Sequence, residues 1–221
     1  HGHHILMKEA LDAINSWIPD YIHVMAGNVA TREGFDALAE WGADSIRCNV
    51  GGGSICTTRV QTGHGVPGLH TILDCAQSQF AGEVLIVADG GVRSSGDAAK
   101  ALAAGADLVM VGSLLSGTDE TPGATFKDTD GNLRKNFRGM ASKEAQNDWR
   151  GKFSSIEGVS TTVPHRGAVS EILYELDQGI RSALSYTGTD NLDDFRNFSK
   201  FIKQSAASRV ESSAHIFGRF D

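Results

Sequence analysis

The residues best suited to covalent chemistry stand in one run, Gly51-Gly52-Gly53-Ser54-Ile55-Cys56-Thr57-Thr58-Arg59. Consecutive glycines let a backbone approach a ligand closely and turn its N–H groups toward an anion. Ser54 adds a hydroxyl donor of the kind that meets a phosphate. Cys56 follows on a polar loop, where a thiolate could add to an electrophilic carbon. On residue chemistry alone, a glycine-rich turn carrying an inert thiol fits as well. Cys48 and Cys75 lie in apolar-periodic segments and read as small buried hydrophobes. The three cysteines have neither a metal-ligand spacing nor an even count for disulfides, which suits free thiols in a reducing, cytoplasmic compartment.

Such a loop needs a scaffold. Ile5, Leu6, Ala10, Leu11, Ile14, Trp17 and Ile18 recur at a helical period. A short strand is expected over residues 22–25, ending at Gly27-Asn28, then a helix over 31–41 closed by Gly42. A strand over 45–50 breaks into the glycine run. A helix over 69–80 and a strand over 84–88 follow, the strand ending at Asp89-Gly90-Gly91. Ser94-x-x-Asp97 opens another helix, Gly105 closes it, and a strand over 108–111 ends at Gly112-Ser113.

Alternating short apolar strands and helices make a parallel sheet. Both an open Rossmann-type sheet and a (β/α)8 barrel fit that rhythm. A Rossmann sheet concentrates glycines after its first strand, whereas a barrel gathers its site from the C-terminal ends of many strands. Here every strand ends in a glycine-plus-polar group, so the expectation is an α/β TIM barrel. A closed barrel needs eight units. This chain supplies only about its last four, with C-terminal helices added.

The expected organisation is half-barrel over residues 1–118, an inserted finger and flap over 119–165, and terminal helices with a tail over 166–221. Within the last two parts, residues 119–135 read as irregular, a short helix starts at Ser142, and helices cover 169–184 and 192–204. At 221 residues the chain can bury a core. Its net charge of −7 excludes the basic footprint of a nucleic-acid binder, and no apolar run approaches a membrane span.

The cysteine run resembles the catalytic loop of the family that contains IMP dehydrogenase and GMP reductase. The likeness continues through Met25-Ala26-Gly27-Asn28-Val29, Thr62-Gly63-x-Gly65-Val66-Pro67, Ala88-Asp89-Gly90-Gly91 and Ser95-Gly96-Asp97. It extends over residues 101–107, 111–123 and Arg138-Gly139-Met140 in the family's order. His1-Gly2-His3 resembles the family's segment after its fourth strand.

The resemblance implies a role for each matching position. Cys56 would attack the purine C2 and form a covalent thioimidate. Ser54, Gly91, Gly112 and Ser113 would hold the nucleotide phosphate, and Asp89 the ribose hydroxyls. The backbone of Gly139, Met140 and Ala141 would meet the base edge. Thr58 and Glu157 would activate the group entering or leaving C2. Asn28 would lie near the nicotinamide of NAD or NADP, with Gly51 beside it. The backbones of Gly51, Gly53 and Cys56 would ligate a potassium ion together with Glu211, Ser212 and Ser213 of a neighbouring subunit in a homotetramer. The substrates would be IMP, GMP or XMP.

Four departures bear on the activity. Asn49 and Gly52 replace residues usually Gly and Pro in the family loop, and Phe137 stands where Tyr is common. The segment between Met140 and Glu157 is short and lacks the Arg-Tyr pair that activates water in IMP dehydrogenases. Hydrolysis of the adduct needs a base at a water. The sequence therefore favours GMP reductase, with NADPH reducing GMP to IMP and ammonia. IMP dehydrogenase is the alternative, supported by Glu211-Ser212-x-x-His215 and Thr121-Pro122-Gly123. A third expectation, an inactive nucleotide-binding paralogue, is opposed by the intact Cys56, Thr58, Asp89 and Glu157.

Overall fold

The computed structural model describes residues 2–212. After helix α1 (Ile5–Trp17), strands β1 (Met25–Val29), β2 (Ser45–Cys48), β3 (Leu85–Asp89) and β4 (Leu108–Met110) form one parallel sheet. Helix α2 (Arg32–Glu40) joins β1 to β2. The short α3 (Thr58–Thr62) and α4 (Gly68–Cys75) join β2 to β3, and α5 (Ser95–Ala103) joins β3 to β4. Spatial strand order equals chain order. A barrel arc has that order, whereas a doubly wound sheet reverses at a switch point.

Residue chemistry accounts for these elements. Thr31 caps α2 by accepting from the Gly34 N–H, and Ser94 caps α5 by accepting from Asp97, each worth about 1 kcal/mol. Ile46, Cys48 and Ile86 of the central strands pack with Leu11, Phe35, Leu38, Ile72 and Cys75 into the main core. A second cluster, Ala99, Leu102 and Phe195, joins α5 to α7 (Val169–Thr187) and α8 (Leu192–Phe198). Gly179 makes that contact possible, because a Cβ there would fall 2.1 Å from Ser95 Oγ. Among the described residues, no helix is long and apolar enough to cross a membrane.

Several boundaries differ from the sequence expectation. The first strand starts at Met25, not residue 22, and contains Gly27-Asn28 instead of stopping before them. Gly27 lies opposite Arg47, and a Cβ on it would come within 2.8 Å of that residue. A glycine that reads as a turn is here required inside the ladder. The second strand stops at Cys48, because Asn49 leaves it with φ +122°. The helix expected over 69–80 stops at Cys75, and Ser78 then turns the chain by accepting from the Phe80 N–H. The helix expected to reach residue 204 stops at Phe198, and α9 (Ala206–Glu211) begins separately.

The largest correction concerns residues 119–135, expected to be irregular. Strand β5 (Phe126–Lys127) and the start of β6 (Leu133–Arg138) fall there and form an antiparallel sheet with β7 (Ser160–Pro164), α6 (Lys143–Arg150) lying between β6 and β7 in the chain. Lys135 hides the pattern. It is a charged residue only 3 % exposed, and its ammonium donates to the carbonyls of Thr118 (2.9 Å) and Thr121 (2.5 Å). Three N–H donors on one Nζ let a buried Lys be satisfied without a carboxylate. An inward-facing charge breaks the apolar alternation by which strands are read.

Candidate active site

The parallel register sets Asn28, the residues after Cys48, Asp89 and the residues after Met110 at one edge of the sheet. Asn28 Nδ2 donates to Asp89 Oδ2 (2.7 Å) and to the Asn49 carbonyl (2.9 Å). Arg47 adds Nη2 and Nε to the same Asp89 oxygen at 2.7 and 3.1 Å. Three donors thus hold one carboxylate oxygen and fix the plane of the group. Arg47 was not singled out from the sequence. Its signal is the one charge in Ser45-Ile46-Arg47-Cys48, a strand otherwise buried.

The cysteine loop is bound to a distant segment by main-chain bonds. Thr57 N–H donates to the Glu157 carbonyl (2.9 Å), and Val159 N–H to the Ile55 carbonyl (3.1 Å). Glu157 N–H donates to Ala141 (3.2 Å), and Gly139 N–H to Val159 (3.0 Å). Residues 139–141, 157–159 and 55–57 therefore lie side by side. Gly158 is buried in this stack, where an added Cβ would meet the Ser142 nitrogen at 3.1 Å.

This stacking assembles a series of side chains. The Cys56 thiol donates to Thr58 Oγ1 (3.2 Å), and the buried Thr58 hydroxyl donates to Glu157 Oε2 (2.7 Å). Ser155 Oγ donates to the other oxygen, Oε1, at 3.0 Å. The hydrogen bonds from Thr58 and then Ser155 hold the Glu157 carboxyl below its ordinary value, because both favour the ionised form. Cys48 and Cys75 are both buried, and the Cys75 hydrogen bond and burial push the Cys48 thiol far up. Cys56 is half-buried beside the cavity.

That cavity, about 600 Å³, is bounded by Asn28, Gly51, Cys56, Thr58, Met140, Ala141 and Glu157 among others. Seven of the residues expected at a site thus surround one space. Gly139 lies behind it, against Ile55 and Gly158. Asp89 and Gly91 line a smaller adjoining cavity of about 220 Å³. Ser54, Gly112 and Ser113 line neither, although Gly112 and Ser113 follow β4 at the same sheet edge. Gly53 packs its nitrogen against Gly90, where an added Cβ would come within 3.1 Å.

Glu211 ends α9 and Ser212 caps it, its hydroxyl donating to the Ser208 carbonyl. Ser213 and the tail histidine, His215, lie outside the described residues. Two further wall residues escaped the sequence reading. Gln146, 4 % exposed, donates to the carbonyls of Ala141 (3.1 Å) and Ser155 (2.9 Å) and accepts from the Ser154 N–H (3.0 Å). Ser155 is the other. Neither has a local signature, since each matters only through a partner across a turn. Trp149 and Arg150 also line the cavity, with the guanidinium stacked on its neighbour's indole at 4.0 Å.

The IMP dehydrogenase / GMP reductase domain family matches residues 1–215. The inosine-5'-monophosphate dehydrogenase of Nitrosopumilus maritimus is 42 % identical over 227 residues, which cover 97 % of this chain and 47 % of that protein. The GMP reductase of Leishmania donovani is 39 % identical over 226 residues, covering 97 % and 46 %. A solved structure of a Trypanosoma brucei GMP reductase variant in complex with guanosine 5'-monophosphate superposes with a TM-score of 0.91 at 37 % identity. It covers 97 % of this chain and 45 % of that one. The chain spans about half the length of the relatives it matches.

Proposed function

The chain belongs to the IMP dehydrogenase/GMP reductase family, and from that premise we propose that it carries the nucleotide-binding part of a purine-nucleotide oxidoreductase acting at C2. The observation that carries the reading is the hydrogen-bonded series Cys56–Thr58–Glu157 on the wall of the 600 Å³ cavity. Residues 1–118 serve as the last four units of a (β/α)8 barrel, 119–165 as a finger and flap, and 166–221 as terminal helices and tail. The consecutive strand order supports the barrel.

In the favoured direction the enzyme is a GMP reductase: GMP, NADPH and two protons give IMP, ammonium and NADP⁺. Cys56 adds to C2 of GMP, and ammonia leaves with a proton relayed through Thr58 and Glu157, giving a thioimidate. NADPH, when bound, would supply a hydride at C2. The Cys56–C2 bond then breaks, returning the thiolate and releasing IMP. Asp89 meets the ribose hydroxyls through Oδ1, since the donors from Asn28 and Arg47 converge on Oδ2. Ser54, Gly91, Gly112 and Ser113 bind the phosphate, and Gly139, Met140 and Ala141 present backbone groups to the base.

The nicotinamide of NADP or NAD fits beside Asn28 and Gly51, both of which border the cavity next to Cys56. A potassium ion would be held by the backbones of Gly51, Gly53 and Cys56, with Glu211, Ser212 and Ser213 contributed by a neighbour in a cytoplasmic homotetramer. The positive φ of Gly51 (+73°) fits a loop that turns its carbonyls to one side.

Relatives bearing either name match at similar identity, so direction rests on the flap. Residues 141–157 hold no Arg-Tyr pair, and Gln146 ties the two ends of this short segment together. Thr58 and Glu157 then remain as the relay at C2, which suits departing ammonia. The alternative is IMP dehydrogenase. The test is turnover by the complete protein with GMP plus NADPH against IMP plus NAD. Faster GMP-dependent NADPH oxidation is expected. XMP production from IMP with no oxidation of NADPH would establish the alternative, and activity in neither direction an inactive paralogue.

A further inference from the structure

Asn49 stands between the two cavities and lines both. It is 4 % exposed, and all four of its hydrogen-bonding groups are engaged, two with β1, one with β3 and one with α3. Its N–H donates to the Val29 carbonyl (2.7 Å), and its carbonyl accepts from Asn28 Nδ2 (2.9 Å). Its Nδ2 donates to the Asp89 carbonyl (2.9 Å), and its Oδ1 accepts from Arg59 Nη2 (3.0 Å). It achieves this with φ +122°, the one positive φ among described residues other than glycine. Such a backbone costs an ordinary side chain about 1–3 kcal/mol unless its surroundings repay it.

The carboxamide also occupies space that belongs to a neighbour. A Cβ built on Gly52 would lie 1.9 Å from Asn49 Nδ2 and 2.7 Å from its Cγ. Asn49 cannot swing aside without breaking its bonds to Asp89 and Arg59, because it is buried and held at both ends. A side chain at residue 52 and the Asn49 carboxamide in this position therefore exclude one another.

We propose that Asn49 is a positioning residue for the cysteine loop and that its carboxamide and the bare Gly52 form an obligate pair. The amide acts as a strut, setting the height of the Gly51–Cys56 loop above Asp89 in place of a side chain at residue 52. The proposal rests on reading this loop as the nucleotide-binding loop.

The test is a four-cornered set in the complete protein: parent, Gly52→Ala, Asn49→Gly and the double variant. The readouts are the alkylation rate of Cys56 by iodoacetamide, the GMP concentration giving half-protection, and the thermal midpoint. Gly52→Ala alone should change the alkylation rate and weaken protection by about tenfold, the scale of one displaced buried hydrogen-bonding group. Asn49→Gly should weaken protection while keeping or raising the midpoint, since glycine accepts φ +122° freely. A fold defect alone would move the two together. In the Asn49→Gly background, adding Gly52→Ala should change nothing further.

Additive effects at the two positions would overturn the pairing. An Asn49→Gly protein protected like the parent would overturn the positioning role. If Gly52→Ala fails to fold, recovery of folding in the double variant supports the pair, and its absence refutes it. A parent whose Cys56 no purine nucleotide protects would refute the functional reading, while the alkylation rates without nucleotide still decide the pairing.

Discussion

The parallel sheet and the antiparallel ribbon of β5–β7, the latter through the segment that joins β6 to β7, meet at the same cavity and hold their site residues by different means. On the sheet side, Asn28 and Asp89 stand on strands whose neighbours Ile46, Cys48, Ile86 and Ala88 are buried. Hydrophobic burial, about 25 cal/mol per Å², fixes those strands whatever the side chains at their ends do. On the ribbon side, Met140, Ser154 and Ser155 are exposed, and Glu157 is half-buried. Their positions depend on a few hydrogen bonds, to Gln146 and to the cysteine loop. On the proposed reading, the sheet would hold the nucleotide and the ribbon side would carry the groups that set the direction of reaction. A wall held by a few hydrogen bonds can be shortened or rebuilt without disturbing the core.

The largest expected effects sit where the two regions meet. Cys56→Ala should remove turnover by roughly 10⁴-fold or more, the scale of losing a covalent nucleophile. GMP binding, measured by calorimetry, should persist, since the residues proposed to meet the phosphate and ribose are other than Cys56. A variant retaining a tenth of parental turnover would exclude a covalent route. Glu157→Gln keeps the shape of the ribbon contact but removes the proton acceptor. GMP deamination should slow by about 10²–10⁴, the usual worth of a positioned acid–base group. Unchanged steady-state rates would remove Glu157 from the chemistry.

A paired experiment separates the regions themselves. Ile86→Ala in the central strand should cost about 2–5 kcal/mol of stability, as large-to-small core changes do. The surviving folded enzyme should keep its KM for GMP. Gln146→Ala should do the reverse, with little change in thermal midpoint, faster amide exchange over residues 151–156 and a raised KM. The lost contacts are worth about 1–3 kcal/mol at the site. If Gln146→Ala melts the whole chain as Ile86→Ala does, the ribbon belongs to the core and the contrast fails.

The same contrast explains what the sequence reveals. The βα rhythm, the strand-end glycines and the cysteine loop are legible because their signals are local. A capping Ser94, an apolar strand and a glycine run each declare themselves within about ten residues. The ribbon is not legible, because β6 pairs with β7 across an intervening helix and Lys135 turns a charge inward. Arg47 is hidden for a related reason. Its charge faces Asp89, a residue of the next strand, and only the register Arg47↔Val87 brings the two together. Glu157 is recognisable only by family resemblance, since its bond to Thr58 spans 99 positions.

The smallest expected effect bears on how the ribbon tunes that carboxylate. Glu157 receives Thr58 on one oxygen and Ser155 on the other, and both bonds favour the charged form. Its folded pKa is therefore depressed. A rate that needs the ionised carboxylate is maintained above that value and falls as pH drops through it. Ser155→Ala removes the weaker of the two donors, so the acidic limb of kcat should move up toward the ordinary glutamate value. Thr58→Val removes the stronger donor and should move the limb further, while also lowering the rate at its plateau. Ser155→Ala should leave the plateau nearly intact, because Ser155 does not touch Cys56. Profiles of kcat against pH for the three proteins check the order. A limb that stays fixed in Ser155→Ala, or that shifts to lower pH, would show that the exposed ribbon hydroxyl holds no part of the Glu157 charge.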